Sequence, residues 1–422
     1  TRNRLIPVTL LAGACMLRRL LIPFLILCSA TFAAAQAKPR IRAITAFVRI
    51  DREHYQSQVQ DALSFLQRAR SAYQAAGYEV QTLRITTQPF TEYTRGLSSE
   101  KALAFFRTLD ELAQKQGFIA SIGPAMLNDS DDPAQGDLLA EVLANSKNLS
   151  GSIIIAGQDG LYWKSIAAAA RTIQYLAGHS PGGQGNFNFA ATAMLPAYGP
   201  FFPGAYFTGD GHQFAIGLES ANVVQGAFSA GQDFASARNS LAQKMAAAVG
   251  PVERIATTLA TQTGWSYGGI DVSPAPLGKA SIGAAVEILT GAPFGSSGTL
   301  SAAALITSVL RNLPIKHAGY SGLMMPILED ATLAQRWGEG HITIDGLLAY
   351  SSVCGTGLDT IPLPGNVSSH QLERMLSDTA SLAFKWNKPL AVRLLPVPGK
   401  RVGERTTFNG PYLANTVLQP LP

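Results

Sequence analysis

Short apolar runs alternate with longer amphipathic stretches along the first half of the chain. Short runs of apolar residues predict strands, and stretches whose apolar residues recur every three or four positions predict helices. The predicted order is strand 41–50, helix 55–76, strand 78–85, helix 103–116, strand 118–122, helix 138–145, strand 152–156 and helix 162–176. Gly77 follows the first helix at a position where a glycine cap is expected. Repeated strand–helix alternation is typical of parallel α/β architecture.

The middle of the chain has a different pattern. Residues 178–211 are dense in glycine, proline and aromatic residues, and only 187–195 has a strand pattern. Within this segment, residues 198–207 (YGPFFPGAYF) form what we call the aromatic loop. Its aromatic residues argue against disorder. Two interpretations stay open for it: a lid over an apolar pocket, or a rigid loop that packs in place.

The alternating pattern returns after the aromatic loop. It predicts strands at 213–218, 267–272 and 390–395, and helices at 235–261, 281–289, 300–310 and 370–386. Residues 347–353 are the end of a strand or a helix and lead into Cys354. No change in composition marks an internal boundary in residues 38–422, whose length alone allows one large domain or two.

The first 37 residues have the pattern of a targeting segment. Arg18 and Arg19 follow Met16, the apolar run LLIPFLIL occupies 20–27, and small residues offer cleavage after Ala35 or Ala37. This is the pattern of a secretory signal peptide. The apolar run is well short of the ~20 residues that a membrane span needs. We therefore expect residues 1–37 to be upstream residues plus a signal peptide, and the mature protein to be exported to the periplasm or the extracellular space without a membrane span.

Removing this segment changes the charge of the protein. The whole chain has 33 basic and 28 acidic residues, and the four arginines Arg2, Arg4, Arg18 and Arg19 leave with the segment. The mature chain is then close to neutral, so it lacks the strongly basic balance typical of nucleic-acid-binding proteins. A content of 47% hydrophobic and 14% charged residues indicates a well-buried globular chain.

Four long strings carry a resemblance to a known family. They are YGGIDVSPAP at 267–276, SIGA at 281–284, GYSGLMMPILED at 319–330 and VCGTGLDTIP at 353–362. They resemble the domain-of-unknown-function 711 family, which has no assigned activity, and the likeness extends across the mature chain. The family is similar in fold to the glycyl-radical enzymes. The resemblance therefore implies that residues 38–422 form a single domain, a large α/β barrel of ten strands with a finger loop inside it.

Cys354 is the first candidate for chemistry. It is the only cysteine outside the predicted signal segment, so it has no internal disulfide partner. In glycyl-radical enzymes a cysteine occupies the tip of the finger loop, and the resemblance implies that place for Cys354. A glycyl-radical signature is not evident near the end of the chain, so radical chemistry is not carried over. Cys354 is then either a buried small apolar residue or a reactive thiol on a turn.

Acidic residues at predicted strand ends form the second candidate group. Its members are Glu219, Asp271, Glu329, Asp330 and Asp359. The ends of strands are where α/β folds place catalytic and ligand-binding groups. Converging carboxylates can bind Mg²⁺ or Ca²⁺ or act as general acids and bases. The alternative is that each acid caps a helix or a turn.

Two further residues complete the predicted ligand site. His212, beside the aromatic loop, is the best placed of the six histidines, and Tyr320 lies in one of the family strings. The chain has no HExxH or CxxC spacing of a zinc site, no dinucleotide fingerprint, no phosphate loop and no G-x-S-x-G nucleophile elbow.

These observations support two hypotheses of function. The first is an exported enzyme with a site at the centre of the barrel, where Cys354, Asp359 and Asp271 are catalytic and Glu219 lines the site. The second is a periplasmic protein that binds a small molecule in the same cavity without chemistry. The sequence does not name the ligand, the reaction or the metal.

Overall fold

The computed structural model describes residues 38–421, which form ten strands and twelve α-helices. The strands are β1 (Arg40–Val48), β2 (Val80–Thr86), β3 (Ile119–Pro124), β4 (Leu149–Gly157), β5 (Gly160–Leu161), β6 (Phe189–Ala193), β7 (Gly211–Glu219), β8 (Ser266–Asp271), β9 (Gly357–Pro364) and β10 (Leu390–Val397). The helices are α1 (Tyr55–Ala75), α2 (Phe90–Tyr93), α3 (Ser99–Gln116), α4 (Ala134–Ala144), α5 (Trp163–His179), α6 (Ala221–Ala227), α7 (Phe234–Thr263), α8 (Ile282–Thr290), α9 (Thr299–Arg311), α10 (Ala331–Gly338), α11 (Ile344–Ser351) and α12 (Ser369–Trp386).

All ten strands belong to one sheet, in the order β8-β7-β1-β2-β3-β4-β6-β10-β9, with β5 paired to β4. The five strands β1, β2, β3, β4 and β6 run parallel to one another. On each side they are followed by a parallel pair of opposite direction, β7–β8 next to β1 and β9–β10 next to β6. The α/β class expected from the alternating pattern is confirmed.

One segment pairs with both outer strands of the sheet. His317 forms a parallel bridge with Ile270 of β8, and Pro326 forms a parallel bridge with Asp359 of β9. Backbone hydrogen bonds accompany both bridges, from Ala318 N–H to Ile270 O at 3.0 Å and from Ile327 N–H to Asp359 O at 2.9 Å. We call residues 316–328 the bridging segment. It connects the two edges of the sheet, as a barrel requires, while the likeness to the glycyl-radical-enzyme barrel stays a prediction.

The strands are buried on both faces, which explains their nearly continuous apolar sequences. Every residue of β1 after Arg40 is buried, and every residue of β9 is buried. Helix α1 packs on β1 and β2, α12 packs on β4, β6 and β10, and α7 packs on β8. These helices cover the outer face of the sheet, so the polar residues on the other face mark the interior.

Most elements of the predicted pattern are present, and the differences have local causes. Strand β9 was not predicted, because Pro362 and Pro364 interrupt its sequence, and proline is disfavoured inside sheets. Residues 347–351 are the end of helix α11 rather than a strand, and residues 352–353 follow it in a turn. The short helix α10 was also missed. Its N-terminus is capped by Asp330, whose carboxylate accepts hydrogen bonds from Thr332 N–H and Leu333 N–H.

The described residues lie within one compact unit, and no helix among them is long and apolar enough to cross a membrane. The predicted signal peptide lies outside the described residues.

Candidate functional site

The aromatic loop lies against the inner face of the sheet. Thr45 Oγ1 on β1 donates a hydrogen bond to Pro200 O at 2.9 Å, and Ser121 Oγ on β3 donates one to Ala205 O at 2.8 Å. The Phe201 ring packs on Gly217 of β7, where a Cβ atom would approach it to 3.3 Å. Contacts with three strands fix this loop inside the sheet, so it forms a wall of the interior.

A cavity remains between the aromatic loop, the bridging segment and the inner face of the sheet. The space open to the centre of a water molecule is about 120 Å³. One water needs on the order of 10–15 Å³ in this measure, so a small organic molecule can be accommodated. The residues that give the cavity its charge are Arg42, Arg84, Glu329, Asp359 and Arg393.

Four of these charged residues form a continuous chain of ion pairs. Glu329 accepts from Arg42 Nη2 through Oε2 at 3.1 Å and from Arg393 Nη2 through Oε1 at 2.5 Å. Arg393 Nε then donates to Asp359 Oδ1 at 2.5 Å. We call Arg42, Glu329, Arg393 and Asp359 the ion-pair chain. All are almost fully buried apart from their cavity-facing surface, where charges need partners of opposite sign.

Glu219 extends this network behind the cavity wall. Its Oε1 accepts from Arg40 Nη1 at 3.1 Å, and its Oε2 lies 3.7 Å from Arg42 Nη1. Gln81 Nε2 also donates to Glu219 Oε2. Glu219 is not a cavity-lining residue, so it orients Arg42 and does not face the cavity itself.

Arg84 on β2 is different from the other two cavity arginines. It is only 7% exposed, and its single hydrogen bond runs from Nε to Thr82 Oγ1 at 3.0 Å. No carboxylate within residues 38–421 forms an ion pair with it, and its two Nη groups have no hydrogen-bond acceptor there. The guanidinium lies over the Phe202 ring, 4.8 Å from its centroid. Arg84 is therefore a buried cation on the cavity wall without an ion-pair partner among the described residues, and Glu329 favours its charge only from a distance.

The electrostatic environment shifts the ionisation of the cavity groups. Burial, together with the nearby Arg42 charge, lowers the pKa of Arg84 to about 9. Burial raises the pKa of Asp359, and the Arg393 guanidinium opposes that rise. Burial and the Asp359 charge raise the pKa of Tyr320, so its phenol stays protonated. Arg84 remains charged at neutral pH, and Asp359 holds a proton more readily than an ordinary aspartate.

Asp271 positions the bridging segment and does not line the cavity. Its carboxylate accepts hydrogen bonds from Tyr320 N–H at 2.7 Å and Ser321 N–H at 3.0 Å. It also accepts one from Ser273 N–H at 3.0 Å. Although these bonds favour the anion, complete burial raises the pKa of Asp271. Its role in the site passes through Tyr320, whose ring lines the cavity.

Cys354 is completely buried and is not among the residues that line the cavity. It belongs to the main hydrophobic core, just before β9. Lys388 lies beside it and donates hydrogen bonds to Cys354 O and to Ser351 O, the latter at 2.7 Å. The structure places the aromatic loop against the inner face of the sheet, and Cys354 itself lies in the core.

Comparison with known proteins identifies the family of this chain. The family model described as "Uncharacterised ACR (DUF711)" matches residues 34–409. The chain belongs to the DUF711 family. It is 30% identical over 363 residues to a UPF0210 protein of Pyrobaculum arsenaticum, covering 80% of this chain and 78% of that protein. A UPF0210 protein of Oenococcus oeni is 27% identical over 363 residues, covering 82% of this chain and 80% of that protein.

Two other predicted residues of this DUF711 chain lie away from the cavity. Asp330 is buried, where it accepts from Ser281 Oγ at 2.6 Å and Ile282 N–H at 2.7 Å in addition to capping α10. His212 is on the surface, with Nε2 3.2 Å from Asp61 Oδ2. Of the predicted ligand-binding residues, Glu329 and Tyr320 are the ones that line the cavity, together with the predicted catalytic residue Asp359.

The carboxylates of this DUF711 fold do not converge on a common point. In residues 38–421, no group of three or more His, Cys, Asp or Glu side chains is placed to hold a metal ion. Guanidinium groups separate Glu219, Glu329 and Asp359 from one another. The expected Mg²⁺ or Ca²⁺ ligation therefore gains no support from this geometry.

The arginines of the cavity were missed in the sequence, although a signal was present. Each lies inside a strand of otherwise mostly apolar residues: Arg42 in β1, Arg84 in β2 and Arg393 in β10. A charged residue within a buried strand must have a partner or a ligand. Three such arginines in the strands of one sheet are therefore a sequence signal for an anionic site.

Proposed function

We propose that the protein binds a small anionic molecule in its central cavity through the guanidinium group of Arg84. The observation that carries this proposal is the burial of Arg84 without a carboxylate partner among the described residues. Leaving a charge buried without a partner is costly, whereas an anion on the guanidinium group would offset that cost.

The neighbouring groups favour an anion over a cation. The cavity is lined by three arginines and two carboxylates, and both carboxylates are already paired with Arg42 or Arg393. With all five groups charged, the lining carries one net positive charge. Phe202, stacked on Arg84, adds an apolar surface next to the anion. A small organic anion matches both features.

Calorimetric titration with hexanoate and inorganic phosphate tests this proposal. Arg84→Met removes the charge, Arg84→Lys keeps it, and Arg107→Met on the exposed face of α3 is the matched control. Charge-assisted hydrogen bonds contribute about 1.5–3 kcal/mol, so Arg84→Met should weaken binding by roughly 10-fold to 100-fold. The affinity of Arg84→Lys should lie between those of the wild type and Arg84→Met. The control Arg107→Met should bind with the affinity of the wild type.

Failure of both anions to bind the wild-type protein contradicts the proposal. So does equal affinity of the wild type and Arg84→Met. The natural ligand can be sought in the same variants, by mass spectrometry of small molecules released when the purified protein is denatured. A molecule recovered from the wild type and the control, but not from Arg84→Met, is the expected result.

Asp359 supports a second candidate function, an enzyme that transfers a proton at this cavity. Asp359 lines the cavity and its pKa is raised by burial, as expected for a general acid. Glu219 and Asp271 would serve as positioning residues through Arg42 and Tyr320. An enzyme would convert the recovered ligand. The Asp359→Asn variant would still bind this ligand but would not convert it. A ligand that the wild type leaves unchanged favours the binding protein.

Export is part of the same proposal and rests on residues 16–37. Cleavage after Ala35 or Ala37 would give a mature protein that begins at Gln36 or Lys38. Fractionation of producing cells and mass determination of the N-terminal peptide test it. Protein found inside the cell with residues 16–37 attached would contradict export.

A further inference from the structure

Tyr412 lies at the mouth of the cavity. It lines the cavity and is 39% exposed, more than any other described residue of the lining. Most of the lining is buried, but Thr82 near the start of β2, Ile119 at the start of β3 and Asn188 just before β6 are half-buried. The mouth is therefore at the amino ends of the parallel strands, and the Tyr412 side chain stands between the cavity and the solvent.

A hairpin near the C-terminus carries Tyr412 across this opening. Its two arms pair in antiparallel fashion at Arg405 and Val417. A backbone hydrogen bond from Thr406 N–H to Thr416 O at 2.8 Å accompanies this pairing. We call residues 403–418 the C-terminal strap.

The C-terminal strap is anchored on both sides of Tyr412. On one side, Asn409 N–H donates to Gln184 Oε1 at 3.1 Å, and Gln184 Nε2 donates to Asn409 O at 2.6 Å. On the other side, Ala414 N–H donates to Leu328 O at 2.6 Å, and Leu413 packs in one hydrophobic cluster with Leu328. These contacts hold the backbone of the strap in place over the mouth.

The Tyr412 side chain is held much more weakly than the backbone that carries it. Its ring centroid lies 5.2 Å from Arg42 Cζ, which is a cation–π contact. Its phenol oxygen has no hydrogen-bond partner among the described residues. A cation–π contact at an exposed position favours the contacting state by only about two- to fivefold. The ring can therefore leave Arg42 at small cost, and exposed side chains change rotamer within nanoseconds.

We propose that Tyr412 is the gate of the cavity. Its ring closes the mouth over Arg42 and turns toward the solvent to admit a small molecule, while the C-terminal strap stays in place. With this cation–π contact alone, the gate is open for about one-sixth to one-third of the time. The passage of an anion through this gate rests on the proposed function, whereas the gate itself acts on any small molecule that enters.

Thiol labelling inside the cavity tests the gate without a ligand. Ala391 lines the cavity and is 8% exposed, so Ala391→Cys places a thiol on its wall. Methyl methanethiosulfonate, which is small and uncharged, labels accessible thiols, and mass spectrometry of the peptide that contains position 391 gives the rate. Cys354 is in a different peptide and is completely buried. If Ala391→Cys lowers the thermal unfolding temperature, Ala275→Cys on the same cavity lining takes its place.

Changes at Tyr412 should alter this rate in a defined way. Tyr412→Ala removes the ring and leaves the mouth always open, so the thiol should be labelled roughly three- to sixfold faster. Tyr412→Phe is the matched control. It keeps the ring and loses only a hydroxyl without a partner among the described residues, so labelling should proceed at the rate seen with Tyr412.

Three results would overturn the gate. The first is an equal rate of labelling with Tyr412 and with Tyr412→Ala. The second is a thiol that is labelled in no variant until the protein is unfolded. The third is equal acceleration by Tyr412→Phe and Tyr412→Ala, because the hydroxyl and not the ring would then close the mouth. The anion proposal fails separately, when calorimetry detects no anion binding to the wild type, and the labelling comparison stands in that case.

Discussion

Arg42, Arg84 and Arg393 show how neighbours decide the role of a residue type. All three lie in buried strands and line the same cavity. Carboxylates hold Arg42 and Arg393, whereas Arg84 has only Thr82 as a hydrogen-bond partner within the described residues. A guanidinium group whose donors bond to carboxylates of the protein has a structural role. A guanidinium group whose N–H donors have no acceptor can bind an anion.

Lys388 gives a prediction at the same scale. Burial lowers its pKa from 10.5 to about 8, so folding disfavours the charged form. Between these values the unfolded chain binds more protons than the folded one, and stability should rise with pH from about 8 to 10.5. Below pH 8 both states are protonated and the contribution is constant.

Denaturant unfolding across this pH range measures the effect. The unfolding free energy of the wild type minus that of Lys388→Met should rise over this pH range by at most roughly 3 kcal/mol. Lys101→Met, at an exposed position of α3, should show no such trend. A constant difference between wild type and Lys388→Met would show that Lys388 keeps an ordinary pKa in the fold.

Cys354 gives a second prediction for a single side chain. Because it is completely buried, iodoacetamide should label it only after unfolding. Mass spectrometry of the peptide that contains Cys354, with and without guanidinium chloride, measures this. Rapid labelling of the native protein near neutral pH would favour a reactive thiol and would bring Cys354 back as a catalytic candidate.

The bridging segment carries the site at the scale of an element. It supplies Tyr320, Met324 and Pro326 to the cavity, yet it has hardly any regular secondary structure. Its conformation depends on the carboxylate of Asp271, which accepts its backbone N–H groups. Gly319 is required at that contact, since its φ is +58° and a Cβ atom would lie 2.2 Å from Asp271 Oδ2.

Gly319→Ala should therefore be strongly destabilising. The positive φ alone costs about 1–2 kcal/mol, and the clash with Asp271 adds to this. Gly340→Ala is the matched control, because Gly340 also has a positive φ, +79°, but has nothing within 4 Å of an added Cβ atom. Urea unfolding should show a larger loss for Gly319→Ala than for Gly340→Ala. Equal losses would mean that the close approach to Asp271 does not constrain the segment.

At the scale of the whole molecule, the ion-pair chain connects distant parts of the sequence. Glu329 follows the bridging segment, and it binds Arg42 on β1 and Arg393 on β10. Strand β1 is one edge of the parallel group of five, and β10 lies next to the other edge. One carboxylate thus connects the two sides of the sheet across the cavity.

Breaking this connection should destabilise the fold. Glu329→Gln leaves two buried guanidinium groups short of a negative charge, and loss of one partner from a buried pair typically costs about 3–5 kcal/mol. Glu111→Gln, at an exposed position of α3, is the control. Thermal and urea unfolding measure the loss, and wild-type stability of Glu329→Gln would contradict this role of the ion-pair chain.

Local sequence signals predicted much of the secondary structure and only part of the site. Periodicity found the long helices and most strands, because packing one face against a core imposes a repeat on the sequence. Strand β9 was not predicted, because its prolines disfavour a strand. Asp359, Glu329 and Tyr320 were predicted and do line the cavity. As predicted, strands or loops end at Glu219, Asp271 and Asp330. Their carboxylates, however, position residues of the cavity wall or cap a helix.

The sequence by itself determined the α/β class and the family, because these depend on local pattern and on long shared strings. Only the tertiary structure decided which charges are paired. Arg84 and Arg393 have the same kind of local sequence, but Arg393 meets two carboxylates from distant segments and Arg84 meets none among the described residues. Ion pairing depends on distances across the sheet, and no local pattern specifies those distances.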